Sequence, residues 1–139
     1  MPYLLDTCAI SELSRIKPNP AVKETLLSMP RDELHLSTIS VGEIQYGIQL
    51  RPDSAEKTRL ASWLSMSILA VFGDRILEFD VFDALRWGDL MADLKHRGLT
   101  MQLQDSLIAA MALENSLTLV TRNESDFAHS GVRILNPWK

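Results

Sequence analysis

Four acids stand where a carboxylate is either costly or chemically useful. Asp6 directly follows the apolar run Pro2-Tyr3-Leu4-Leu5, and Glu43 closes Ser40-Val41-Gly42-Glu43. Asp105 precedes an apolar, alanine-rich segment that runs to Leu113, and Asp126 ends the polar stretch from Arg122. Brought together, such groups repel: two carboxylates about 4 Å apart do so by roughly 4 kcal/mol at an effective dielectric of 20. A cluster of acids therefore protonates or takes up a cation. Oxygen ligands without histidine or cysteine suit a hard ion such as Mg²⁺ or Mn²⁺. An ion of that kind acidifies a coordinated water and neutralises charge on a phosphodiester, so hydrolysis needs no side-chain nucleophile.

Each acid also has a plainer reading. Glu43 fits the capping-box partner of Ser40, Asp105 fits a helix N-cap, and Asp126 fits a polar turn. Asp6 resists such a reading, because an acid directly after a buried strand is costly without a partner. The residue pattern alone leaves both readings open. His35, His96 and His129 have no ligand spacing, and Cys8 reads as a buried structural thiol.

The elements that must position these acids alternate between strand and helix. Pro2 to Leu5 reads as a buried strand, and Ile10 and Leu13 begin a helical pattern. Asn19-Pro20 supplies an N-cap and a first-turn proline for a helix to about Met29. Leu34, Leu36 and Ile39 mark a second strand, after which Ser40 opens a helix with Glu43 in its first turn. The longest helical pattern runs from Asp53 to Phe72. Leu60, Trp63, Leu64, Ile68 and Val71 form its stripe, and Met66, Leu69 and Ala70 make its second half apolar all round. Residues 76–79 read as a third strand, and Asp80 caps a helix to Arg97 that Gly98 ends. A buried helix with Asp105 at its N-terminal end leads into the strand Leu117 to Val120. Arg133 to Leu135 is the last strand.

This alternation predicts an α/β fold with a central, mainly parallel sheet flanked by helices on both faces. Right-handed crossovers place all strand C-termini on one edge, and the crevice of such sheets lies beyond it. Asp6, Glu43 and Asp126 reach that edge from strand ends or the turns that follow. Asp105 reaches it only if residues 97–104 form a loop that carries the chain back.

The 139 residues fit a single domain over 1–139, and 46% hydrophobic with 23% charged residues is ordinary for a globular protein. One cysteine excludes an internal disulfide and fits a reducing compartment. Asp6 and Glu12 interrupt any signal-peptide pattern, and the apolar stretch from Trp63 to Phe72 is too short for a bilayer. A cytoplasmic protein with no membrane role is expected. The net charge of −4 and a pI near 5.3 exclude nucleic-acid binding by bulk charge. Arg15 with Lys17, Arg51 with Lys57 and Arg59, and Lys95 with Arg97 read as solvated helix faces. The helix from Asp53 to Phe72 has more apolar surface than one core face can cover, which predicts a homodimer.

The chain also resembles a known family. Leu4-Leu5-Asp6-Thr7 with Ile10-Ser11-Glu12-Leu13 is similar to the opening of PIN domains of the VapC and FitB type. So are Ser40-Val41-Gly42-Glu43-Ile44 with Gly47-Ile48, and Asp105-Ser106-Leu107-Ile108-Ala109-Ala110. Thr121-Arg122-Asn123 with Asp126-Phe127 and the ending Leu135-Asn136-Pro137-Trp138 continue the match in order across essentially the whole chain. The resemblance implies a PIN fold and a Mg²⁺- or Mn²⁺-dependent endoribonuclease, the toxin of a bacterial toxin–antitoxin pair. It implies Asp6, Glu43, Asp105 and Asp126 as catalytic acids, with Asp6, Asp105 and Asp126 on the metal, and Thr7, Thr121 and Asn123 as supporting polar groups. It further implies an RNA substrate, a dimer, a small antitoxin that blocks the acidic pocket, and DNA contact only through the antitoxin complex. Cys8 stands where the family often has asparagine, and Ser106 where it usually has alanine. A PIN-like scaffold without activity is the main rival. A phosphoacceptor receiver domain is a second, but it calls for a lysine where Thr121-Arg122-Asn123 stands.

Overall fold

Five short strands pair in parallel in the order β3-β2-β1-β4-β5. They are β1 (Tyr3–Leu5), β2 (Leu34–Ser37), β3 (Ile76–Leu77), β4 (Thr118–Val120) and β5 (Ile134–Leu135). The structure, a computed structural model, describes residues 2–139. The register sets Leu5 opposite Leu36 on one side and Val120 on the other. Side chains alternate along a strand, so Leu5, Leu36 and Val120 face one side of the sheet while Leu4 and Leu119 face the other. All five are buried, and two separate cores follow, as a parallel sheet covered on both faces requires.

The first core lies under α1 (Thr7–Leu13), α2 (Pro20–Ser28), α3 (Thr38–Gln49) and a long helical run. Asn19 caps α2 by accepting from the N–H groups of Ala21 and Val22, with Pro20 in the first turn as expected. Strand β2 stops at Ser37, whose hydroxyl accepts the Ile39 N–H and caps α3. Ile39 is therefore helical, Ser37 rather than Ser40 is the cap, and Glu43 sits in the second turn with no capping-box role. The long run comprises α4 (Ala55–Trp63), a π-helical stretch Leu64–Leu69 and α5 (Ala70–Phe72). Leu60, Leu64, Ile68 and Phe72 turn inward at four-residue spacing. The wider π turn rotates Val71 off the expected stripe: it is 42% exposed, beside Met66 at 73% and Leu69 at 39%. Strand β3 has two residues rather than four, because only Leu36 and Ser37 of β2 are there to pair with it.

The second core is closed by the antiparallel pair α6 (Val81–His96) and α7 (Leu103–Glu114). Asp80 and Asp83 form a reciprocal capping box at the start of α6. Asn115, just past α7, donates to Asp83 at 3.1 Å. At the other end of the pair, Arg97 donates to the carbonyl of His129, beyond α8 (Glu124–Phe127). Gly98 adopts φ +70°, a left-handed turn that favours glycine, and the Leu99 N–H returns to the Leu94 carbonyl. Helix α7 thus starts at the edge where β4 ends, and residues 97–102 are the returning loop that Asp105 needs. Its fully buried Ala109 and Ala112 let it lie close over Leu4 and Leu119. Among the described residues no helix is long and apolar enough to cross a membrane.

Candidate active site

Strand order reverses between β1, which continues to β2 and β3, and β4, which continues to β5. Crevices in open parallel sheets form at such a switch point. Asp6 occupies it: its N–H donates to the Val120 carbonyl at 3.0 Å, and the residue is 5% exposed. Thr121 Oγ1 donates to Asp6 Oδ2 at 2.8 Å, the Thr7 N–H donates to Oδ1 at 2.8 Å, and the Cys8 thiol lies 3.7 Å from Oδ2. The Thr7 contact also makes Asp6 the N-cap of α1. Burial pushes the Asp6 carboxyl above its ordinary range, the three donors pull it down, and the charge of Asp126 raises it again.

Glu43 comes to the same edge from α3. Its Oε1 accepts the Thr7 hydroxyl at 2.8 Å, and that hydroxyl is 2.9 Å from the fully buried Ser40 Oγ. Burial raises the Glu43 carboxyl, the Thr7 bond lowers it and Asp6 raises it further. Thr121 is fully buried and also accepts the Asn123 N–H at 3.1 Å, so one hydroxyl ties the turn after β4 to the acid after β1. The Asn123 side chain itself is exposed.

Asp105 is the third residue of α7, where free helix N–H groups favour a negative charge. Its carboxyl is nevertheless pushed up to about 6, first by burial, then by the charges of Asp6, Asp126 and Glu43. The four acids foreseen in the sequence thus come to a single edge, where Asp105 feels the charge of the other three. Asp126 is exposed in α8 and shares with Asp105 a cleft of about 320 Å³, also lined by Thr100, Gln102, Ser125 and His129. Among the described residues no three His, Cys, Asp or Glu side chains are gathered tightly enough to chelate one ion. Their donor chemistry still suits a hard cation. Burial raises the Cys8 thiol, so it stays protonated and the available donors are carboxylate oxygens.

Two features lay beyond sequence reasoning. Ser106, fully buried beside Asp105, accepts the Trp87 indole N–H at 2.9 Å and donates to the Leu103 carbonyl at 2.6 Å. It locks the first turn of α7 to α6, which fixes where Asp105 stands. His129 had no ligand spacing, yet the turn after α8 sets it in the cleft. Both depend on the α6–α7 pairing, which no local pattern announces. The basic groups expected on solvated faces are largely paired: Arg15 with Glu12 at 3.1 Å, Lys57 with Asp53 at 3.4 Å, Arg59 with Glu56 at 2.6 Å and Arg97 with Asp93 at 2.8 Å.

Comparison with known proteins gives a consistent picture. A family model described as PIN domain matches residues 3–131. Toxin FitB of Neisseria gonorrhoeae is 37% identical over 135 residues, which cover 97% of each chain. VapC ribonuclease Y4jK of Sinorhizobium fredii is 33% identical over 136 residues, covering 98% of this chain and 97% of the relative. The solved structure of FitAB bound to an IR36 DNA fragment superposes with a TM-score of 0.92 at 35% identity, over 99% of this chain and 96% of that one.

The raised carboxyl of Asp105 carries a signed prediction. Its folded value near 6 lies above its ordinary 3.8, so the folded state holds the extra proton between those limits. The contribution of this group to stability is therefore fully present below about pH 4 and is lost as pH rises through about 6. Asp105→Asn removes that penalty. In metal-free buffer the variant should be more stable than the parent at pH 8 by about 1 kcal/mol, after allowance for solvent screening. At pH 4 the two should melt together. Thermal melts at both pH values check this, and a variant less stable at pH 8 would show that Asp105 serves only the helix.

Proposed function

Because the chain belongs to the PIN-domain family, we propose that it is a metal-dependent endoribonuclease and the toxin of a toxin–antitoxin pair. The carrying observation is the convergence of Asp6, Glu43, Asp105 and Asp126 on the edge of the parallel sheet where its strand order reverses, with the Asp105 carboxyl raised by the charges of the other three. Such an arrangement calls for a compensating cation. The names of relatives, a VapC ribonuclease and a FitB toxin, support the substrate class and the biological role. The whole of 1–139 is read as one catalytic domain, at work in the cytoplasm.

By their match to the family motifs, Asp6, Asp105 and Asp126 would hold Mg²⁺ or Mn²⁺ with water completing its shell, since the three are not gathered tightly enough to chelate an ion alone. When bound, such an ion supplies an acidified water and neutralises charge on the phosphodiester. The Thr121 hydroxyl and the Thr7 N–H favour the charged form of Asp6 against its burial and fix the orientation of its carboxyl. Glu43, raised by burial and bonded by the Thr7 hydroxyl, would accept a proton from the attacking water and return it. Asn123 supports the turn through its backbone contact with Thr121. Incubation of the purified chain with mixed RNAs should give cleavage that EDTA abolishes and Mn²⁺ or Mg²⁺ restores. Asp6→Asn should lower the rate by at least about 10²-fold with its circular dichroism unchanged. Cleavage undiminished in EDTA would overturn the metal mechanism.

The partners follow from charge and exposed surface. An acidic cleft attracts a guanidinium, so the antitoxin is a small protein with an arginine-bearing tail that competes with the metal. A chain of net charge −4 contacts DNA only through that complex, in keeping with the FitAB structure solved on a DNA fragment. Met66, Leu69 and Val71 are exposed apolar side chains on the long helical run, and a second copy of the chain is read as covering them. Light scattering at tens of micromolar should show a dimer, and Met66→Lys with Leu69→Lys a folded monomer. A monomeric parent would remove the homodimer from the proposal.

A further inference from the structure

The cleft beside Asp105 and Asp126 holds more polar side chains than metal binding uses. Its volume of about 320 Å³ lies at the low end of the roughly 300–1,000 Å³ of small-ligand sites. Thr100, Met101, Gln102, Ser125 and His129 line it, and the four polar side chains among these, all exposed, make no hydrogen bond to another described residue. Gln102 is the residue before α7, yet its side chain makes no cap bond and is left to face the cleft. Arg97 holds the His129 carbonyl at 3.1 Å, so the backbone that carries the imidazole is fixed at the rim. An anionic floor repels a bare phosphate, whereas a neutral base and ribose are not repelled. A glutamine amide offers both donors and an acceptor, and an imidazole offers a flat face, the two means by which proteins read an unstacked base.

We propose that this cleft is a nucleoside subsite beside the bond that is cut. Gln102 bonds the edge of one base, His129 stacks against it, and Thr100 and Ser125 contact the ribose. The proposal rests on the ribonuclease reading for its purpose, but binding can be measured without catalysis. The probes are adenosine, guanosine, cytidine and uridine at millimolar concentration, with inorganic phosphate as control, titrated into the metal-free full chain while amide NMR signals are followed. One nucleoside should move the signals of residues 100–102 and 125–129 at a concentration about tenfold lower than the others, the worth of one well-placed base contact. Phosphate should leave them unmoved. Gln102→Ala should level the four nucleosides, and His129→Ala should weaken all of them. In cleavage assays with Mn²⁺, Gln102→Ala should flatten the base preference at the cut site by a similar factor without changing the Mn²⁺ concentration for half-activation. Signals that do not move, or that move equally for all four nucleosides in parent and Gln102→Ala, overturn the subsite. A parent that binds one nucleoside selectively but cuts no RNA with Mn²⁺ overturns the ribonuclease reading and leaves the subsite standing.

Discussion

A carboxylate held at 5% exposure at the end of the central strand is the constraint around which the rest is arranged. Burial of an isolated charge costs several kcal/mol, so Asp6 persists only with donors close by. Three donors meet it from two parts of the chain: the Thr7 N–H and the Cys8 thiol in the first turn of α1, and the Thr121 hydroxyl just past β4. The β1–β4 pairing brings the last of these into reach, and it exists only because the chain crosses back to lay β4 on the free side of β1. Sheet topology and site electrostatics are thus one problem: remove that strand order and Asp6 has no reason to be tolerated.

The remaining acids are carried by three separate helices, α3, α7 and α8. Thr7 restrains Glu43, the Trp87–Ser106 contact restrains the turn that carries Asp105, and Asp126 rides in solvent on α8. Each restraint is a hydrogen bond from a neutral donor rather than a cation. Among the described residues no ion pair reaches Asp6, Glu43, Asp105 or Asp126, and the Asp105 carboxyl is raised by burial and by the other three charges. Ser106, a departure from the alanine usual in the resembled family, gives the indole of Trp87 an acceptor that alanine lacks.

Much of this was legible in the sequence because its signals are local. Asn19-Pro20, the Asp80 cap and Gly98 each satisfy or break backbone bonds within a few residues, and the elements they bound stand where expected. Alternating strands and helices foretold the parallel sheet, and the four acids arrive at one edge. What failed to show locally depends on partners distant in sequence. Ser37 and Ser40 both suit a cap, and pairing with β1 decides where β2 stops. Strand β3 is shortened by what β2 leaves unpaired, and the π-helical stretch moves Val71 off its stripe without a sequence break. His129 gains its setting only once α6 and α7 fold back together.

The central claim is that the four acids form one electrostatically coupled site that a divalent cation relieves. Calorimetric titration of Mn²⁺ into the purified chain, repeated in buffers of different ionisation heat, counts the protons released on binding. With the Asp105 carboxyl near 6, that group is half protonated at pH 6 and ionised at pH 8. Release of about half a proton per bound ion is expected at pH 6 and almost none at pH 8. Binding with the same proton release at both pH values, or no binding at all, would contradict the claim.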